Sequence, residues 1–334
     1  MNKRVLFYSS VKSKDLFQTQ KFYQIDIEIL KELGYHIILS NKITDALKFW
    51  NYNIVFAYFF RYSFFIGLIA RLFNKKIFIT GGIDDLEENY ATPKRYKIQK
   101  LFFNLCYKVS TSCIIVSNTD YKNIIRLSPK KNWKKLQISE HSIDIKKFYD
   151  TNEKKNHFVT IGWLGNSGAI QRKGIDTSVK IFSELKKLPK FRDYKFLIIG
   201  RNGDGLNYLK EIIRKSEFAS DIILTGEINE EEKIKYLKES KYYLQPSLFE
   251  GFGIAALEAW AAGNILIHSN KGGLKNPAYS TRSIIFSLDE PFEISIKNLI
   301  SDIQTFKYNT ELSQTQLEYY DNKRRLQDIK KILK

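Results

Sequence analysis

The chain has 334 residues, 43% of them hydrophobic and 27% charged, with six prolines and 17 glycines. This length points to two domains, and the composition excludes a disordered, collagen-like or proline-rich chain. The unusual term is charge: 54 Lys and Arg against 36 Asp and Glu give +18, of which residues 1–150 carry +12 and the remainder +6, so an anionic partner is expected, whether a phosphorylated small molecule, an acidic membrane surface or nucleic acid.

Met1-Asn2-Lys3-Arg4 runs straight into an apolar strand over residues 4–8, which is too short and too quickly polar for an export signal, so a cytoplasmic location is expected. Helical spacing of Phe22, Ile25, Ile29 and Leu33 predicts a helix stopping at Gly34, followed by a strand at 36–39. Residues 53–73 imitate a membrane span, but Arg61, Arg71 and the Tyr62-Ser63 step argue for strand 54–59, buried helix 64–73 and strand 76–80. A basic, aromatic helix at 96–107, a strand at 112–116, a helix at 118–125 and a strand at 136–139 close the first half. The two cysteines, Cys106 and Cys113, fall here; they are too few for a disulfide framework or a thiolate zinc cluster.

Residues 147–157 are polar and read as a linker. The alternation then restarts: strand 158–164, helix 174–186, strand 195–199, helix 206–215, strand 222–224, helix 230–238, strand 242–245, helix 253–262 and strand 265–268. Residues 311–334 predict one long helix rich in Lys and Arg. Two doubly wound parallel sheets are therefore expected, one domain at 1–150 and a second at 151–310, with helix 311–334 packing back on the first. Ligands of such sheets sit at the carboxyl ends of the strands, and a cleft between two sheets would be lined by both.

The strongest local signal is Glu250-Gly251-Phe252-Gly253-Ile254-Ala255, running on to Glu258. Gly251 and Gly253 admit a close ligand, and a helix opening near Gly253 presents N–H groups and a positive dipole end that suit a diphosphate. Glu258 falls in an apolar helical run; buried there, it needs partners such as vicinal hydroxyls, and the alternative is a solvated helix face. Arg172 and Lys173, just before Gly174 and a helix, aim positive charge at the same phosphates or form a solvated basic loop. The loop Gly165-Asn166-Ser167-Gly168 ahead of them is flexible enough to move over a ligand.

Together these residues resemble the group 1 family of retaining glycosyltransferases, which have the GT-B fold of two Rossmann-like domains. The carrying features are the acid pair Glu250 and Glu258 with Pro246-Ser247 before it, Lys173-Gly174, Gly200, Thr225-Gly226 and the helix end at Gly263. The likeness is specific over about 158–273 and topological over 1–150. It implies that Glu250 contacts the donor sugar and Glu258 the ribose. Backbone N–H groups of Phe252, Gly253, Ile254 and Ala255, with Lys173, would hold the diphosphate, and Gly200, Arg201 and Ile228 would bracket the base. It implies a UDP- or GDP-linked sugar as substrate, no metal or cofactor, and a glycan or lipid-linked acceptor in polysaccharide synthesis. Three departures stand out. Trp163 occupies the place of the family's arginine, for which Arg172 is the candidate substitute. Residues 9–19 lack the usual glycine-rich loop. The family's sugar-facing histidine is absent, leaving Asp84 and His141 as candidates.

The runs 94–103 and 130–135 combine Lys and Arg with aromatic residues and suit a peripheral enzyme at an anionic leaflet, with solvated lysines as the alternative. Weighed against the transferase are an epimerase or phosphorylase on the same fold, a degenerate non-catalytic protein, and a nucleic-acid binder. No nucleic-acid signature accompanies the charge, so no nucleic-acid partner is expected.

Overall fold

The computed structural model describes residues 3–150, 153–307 and 312–334. The chain divides into two compact units, Met1–Ile143 with Glu318–Lys334, and Asp144–Leu317. The expected linker at 147–157 is largely structured: a helical turn, Ile145–Phe148, buries Ile145 and Phe148, and a strand begins at Lys155. Positions 151–152 of that stretch lie outside the described residues.

The first unit is a six-stranded parallel sheet built from β1 (Arg4–Ser9), β2 (His36–Ser40), β3 (Ile54–Tyr58), β4 (Lys76–Thr80), β5 (Ser112–Ile115) and β6 (Leu136–Ile138). Its order is β2-β1-β3-β4-β5-β6. Helices cover both faces, which is why β1, β3 and β5 are continuous apolar runs rather than alternating ones. The span-like segment resolves into β3, the helix Ser63–Leu72 and β4. Among the described residues no helix is long and apolar enough to cross a membrane.

The second unit contains β7 (Lys155–Ile161), β8 (Lys195–Ile199), β9 (Ile222–Gly226), β10 (Ser240–Gln245), β11 (Ile265–His268) and β12 (Ser283–Ile285), all parallel, in the order β12-β11-β10-β7-β8-β9. Counted from its own first strand this is 3-2-1-4-5-6, and the winding reverses between β7 and β10. The crevice beyond those two carboxyl ends is the site such a sheet offers a ligand. The helix Ile254–Ala261, which follows β10, buries six of its eight residues, Trp260 among them; a helix apolar on all sides belongs in the interior.

The C-terminal segment differs from the expected single helix. The structure has two helices, Gln314–Tyr320 and Asn322–Ile332, with Asp321 extended between them and capping the second. The expected start at Glu311 lies outside the described residues. The second helix lays Ile329 and Leu333 on the same apolar layer of the first unit as Phe7, Phe56 and Tyr58. Arg325 is sealed there with Asp26: both side chains are at most 1% exposed and two N···O contacts measure 2.7 and 2.8 Å. Tyr58 donates to Asp26 at 2.5 Å, and Arg325 also donates to the carbonyls of Ser139 and Glu140. Two desolvated charges are tolerable only when such neighbours satisfy the remaining donors and lone pairs.

Candidate active site

At the switch point of the second sheet, Lys173 and Glu250 meet with Nζ 2.6 Å from Oε1. Arg172 and Lys173 stand just before the helix Ile175–Lys186, as expected. They also end a short one, Ser167–Lys173, whose N-cap is Asn166, accepting from the N–H of Ala169. The expected mobile loop at 165–168 is thus partly the first turn of this helix. Gly174 then turns the chain in the left-handed region (φ 66°), where a Cβ would stand 2.2 Å from the carbonyl oxygen of Pro246. Without a side chain at 174, the Lys173 segment lies directly against the end of β10. The N–H of Leu248 donates to the carbonyl of Arg172 at 2.9 Å, and Arg172 Nη1 donates to the carbonyl of Phe249 at 3.4 Å.

Glu250 is buried, while the Lys173 side chain keeps about a quarter of its surface exposed. Burial alone would raise the Glu250 carboxyl; Lys173, backed by Arg172, outweighs it and holds the group below the usual carboxylate range. Ser247 Oγ lies 3.0 Å from Glu250 Oε1 and 3.1 Å from the Lys173 carbonyl, so its single proton serves both. The N–H of Gly273 donates to the Glu250 carbonyl at 2.6 Å. Gly253, in the left-handed region (φ 85°), then starts the helix Ile254–Ala261; Phe252 is buried and Gly251, Ile254 and Ala255 are half-buried. The expected diphosphate cradle and Glu250 are therefore brought together on one turn.

Glu258 is buried, so the solvated-face alternative fails. Lys233 reaches it from the helix Glu230–Glu239, with Nζ 2.9 and 2.8 Å from the two carboxylate oxygens, and also pairs with Glu230 at 3.0 Å. Burial pulls the Lys233 ammonium down, but Glu258 and Glu230 outweigh it and hold it above its ordinary value. Sequence reasoning missed Lys233. The capping box of Asn229 and Glu232 marks its helix, but no local signal ties it to an acid 25 positions on.

Gly200, at the end of β8, approaches Gly162 so closely that a Cβ would lie 1.8 Å from its carbonyl oxygen. Arg201 follows, exposed, 3.8 Å from the equally exposed Glu227; Ile228 is half-buried. Trp163 leaves the end of β7 60% exposed, its ring over Gly165.

Asp84 belongs to the first unit, in the turn Asp84–Leu86 beyond β4. It faces Asp120, whose fully buried carboxyl is pushed up to about 8 by burial and by the Asp84 charge. His141, also in the first unit, is buried against Phe22, and burial with Arg325 and Arg324 holds its imidazole well below the usual range. Among the described residues no group of three or more His, Cys, Asp or Glu could hold a metal ion.

The two parallel-sheet units define the GT-B class of fold, and known structures agree: HepE from Anabaena, solved with UDP-glucose, superposes with a TM-score of 0.71 over 99% of each chain at 12% identity. Residues 142–278 match the family model Glycosyl transferases group 1. Among curated relatives, the chain is similar to an uncharacterized glycosyltransferase, MJ1607, of Methanocaldococcus jannaschii, at 33% identity over 27% of this chain and 24% of that one. It is also similar to the capsular polysaccharide biosynthesis glycosyltransferase CapH of Staphylococcus aureus, at 27% identity over 80% of this chain and 74% of CapH. The match thus spans a quarter of the length of the first and three quarters of the second.

Proposed function

We propose that the protein moves a sugar from a UDP- or GDP-linked donor to a glycan or lipid-linked acceptor, with retention of anomeric configuration, in the synthesis of a surface polysaccharide. The observation that carries this reading is the pair of buried glutamates, Glu250 and Glu258, each held by a lysine on either side of a helix start at the sheet's switch point. Glu250, kept ionised, accepts from sugar hydroxyls. Glu258 accepts from the ribose. Lys173 spends one of its three N–H donors on Glu250 and has two more for the diphosphate. As the bond from the anomeric carbon to the phosphate oxygen breaks, positive charge grows on the sugar and negative charge on the leaving diphosphate. Lys173, Arg172 and the N–H groups at the start of the helix Ile254–Ala261 are already in place to stabilise that negative charge. The acceptor oxygen bonds to the same carbon from the same face, and its proton passes to the departing phosphate oxygen. CapH, by its name a capsular polysaccharide enzyme, supports the product class, and HepE, solved with UDP-glucose, supports the donor class.

The test is a thermal-shift series with UDP, GDP, ADP and CMP, followed by assays with the matching nucleotide sugars and assignment of the product anomer by NMR. A nucleotide at about a hundred times its Kd should add about 2.7 kcal/mol. If none of the four raises the melting temperature, the donor reading is wrong. Nucleotide binding without turnover would favour the degenerate, non-catalytic alternative, to which Trp163 in the arginine position points.

A further inference from the structure

The first unit carries an apolar surface that its own packing leaves uncovered. On the helix Ser63–Leu72, Phe65, Leu68 and Leu72 recur at spacings of three and four on one face, and all three are exposed, Leu72 to 77%. The neighbouring helix Pro93–Val109 adds Leu101, 57% exposed, and the two helices meet through Phe65 and Phe102, whose ring centres lie 6.3 Å apart. On the other side, Phe49 stacks on Phe73 at 4.0 Å and carries Trp50, which is 62% exposed. An indole and four large apolar side chains on adjoining elements are more than the isolated exposed leucine found on any protein surface.

The charge on the two helices has one sign. Neither helix contains an Asp or Glu. Lys94, Lys97 and Lys108 fall on the same face of their helix as Leu101 and are exposed, and Arg71 is exposed beside Leu72. In the adjoining turns Asp45 is held by Ser40 and Lys48, Asp85 by Arg95 at 2.5 Å, Glu87 by Asn123 at 3.1 Å, and the exposed Glu88 by Tyr96. An apolar patch alone would fit a protein partner or a second copy of the chain. An apolar strip edged by cations, with an indole at its border, is complementary to an anionic bilayer, where alkyl groups enter the acyl boundary and ammonium groups stay among the phosphates.

We infer that the face formed by Trp50, Phe65, Leu68, Leu72 and Leu101, with Lys94, Lys97 and Lys108 beside it, seats the protein on an anionic lipid surface. The inference deepens the lipid-linked acceptor reading, but its test is independent of turnover. The full chain is sedimented with phosphatidylcholine vesicles and with phosphatidylcholine–phosphatidylglycerol vesicles at low and high salt. Expected are binding to the anionic vesicles only, loss of binding at high salt, and a blue shift of tryptophan emission that Trp50→Phe abolishes although Trp163 is also exposed. At about 1 kcal/mol for each basic residue near the surface, the triple variant Lys94→Gln, Lys97→Gln, Lys108→Gln should bind about a hundredfold more weakly. Leu68→Ser with Leu72→Ser should weaken binding at least about tenfold. All five positions are exposed, so unchanged melting curves should accompany the losses. Three outcomes overturn the inference: no binding to anionic vesicles at low salt, binding indifferent to both variants, or a solution dimer that Leu72→Glu dissociates. Failure here with nucleotide-stimulated turnover intact leaves the donor-site reading standing.

Discussion

The two units bury ion pairs to opposite ends. In the first, Asp26 and Arg325 are almost wholly sealed, and every donor of the guanidinium faces protein. In the second, the acids Glu250 and Glu258 are buried, but their lysines keep 24% and 14% of their side-chain surface exposed. A sealed pair has no vacancy for a third party and serves cohesion. A pair with its cation partly open can share that cation with an arriving anion while the acid stays charged. Burial of a carboxylate therefore says little about function until the exposure of its partner is known.

The largest expected effect breaks the sealed pair. Arg325→Ala leaves Asp26 charged in an apolar interior, and urea unfolding should show a loss of about 3–5 kcal/mol. A loss under 1 kcal/mol, roughly what an exposed ion pair contributes, would erase the contrast between the units. Opening the other kind of pair should cost less stability and remove chemistry. Lys173→Ala is expected to cost about 2.7–4 kcal/mol of transition-state stabilisation, a fall in kcat of roughly a hundred- to a thousandfold. Lys233→Met removes the ammonium that orients Glu258. Calorimetric titration should show nucleotide affinity about ten- to a hundredfold weaker, the range for a hydrogen bond to a charged group, and an unchanged Kd would detach Glu258 from the ribose.

A further test is one of pH. Asp120 titrates at about 8 in the folded unit against 3.8 ordinarily. The folded state therefore holds a proton that the unfolded chain releases. The contribution of this group is complete below about pH 4 and declines as pH rises through 8. Asp120→Asn should flatten that decline in melting temperature between pH 5 and 8, and an unaltered profile would show that Asp84 and burial do not keep the proton there.

Strand and helix alternation was legible because parallel strands covered on both faces are unbroken apolar runs, as in β3 and β4, separated by periods of 3.6. The acid pair and its glycines were legible because their spacing is local. What escaped was whatever depends on distant neighbours. The helix Ser167–Lys173 was hidden by two glycines and a serine at its start, and its cap, Asn166, reads equally well as a loop residue. Lys233 looked like any surface lysine, since only tertiary packing carries it to Glu258. The C-terminal helix broke at Asp321, whose preference for capping a helix outweighed the run of good helix formers around it.

Asp26 and Arg325 are 299 residues apart, and the first unit uses both ends of the chain. During translation, at about 5–20 residues per second, the carboxylate waits roughly 15 to 60 seconds for its guanidinium. Through that interval the second unit, contiguous in sequence from Asp144 to Leu317, has everything it needs to mature. Synthesis thus completes the second unit before the first receives Arg325, and a ribosome stalled before that residue would leave the sheet β1–β6 without the helix Asn322–Ile332.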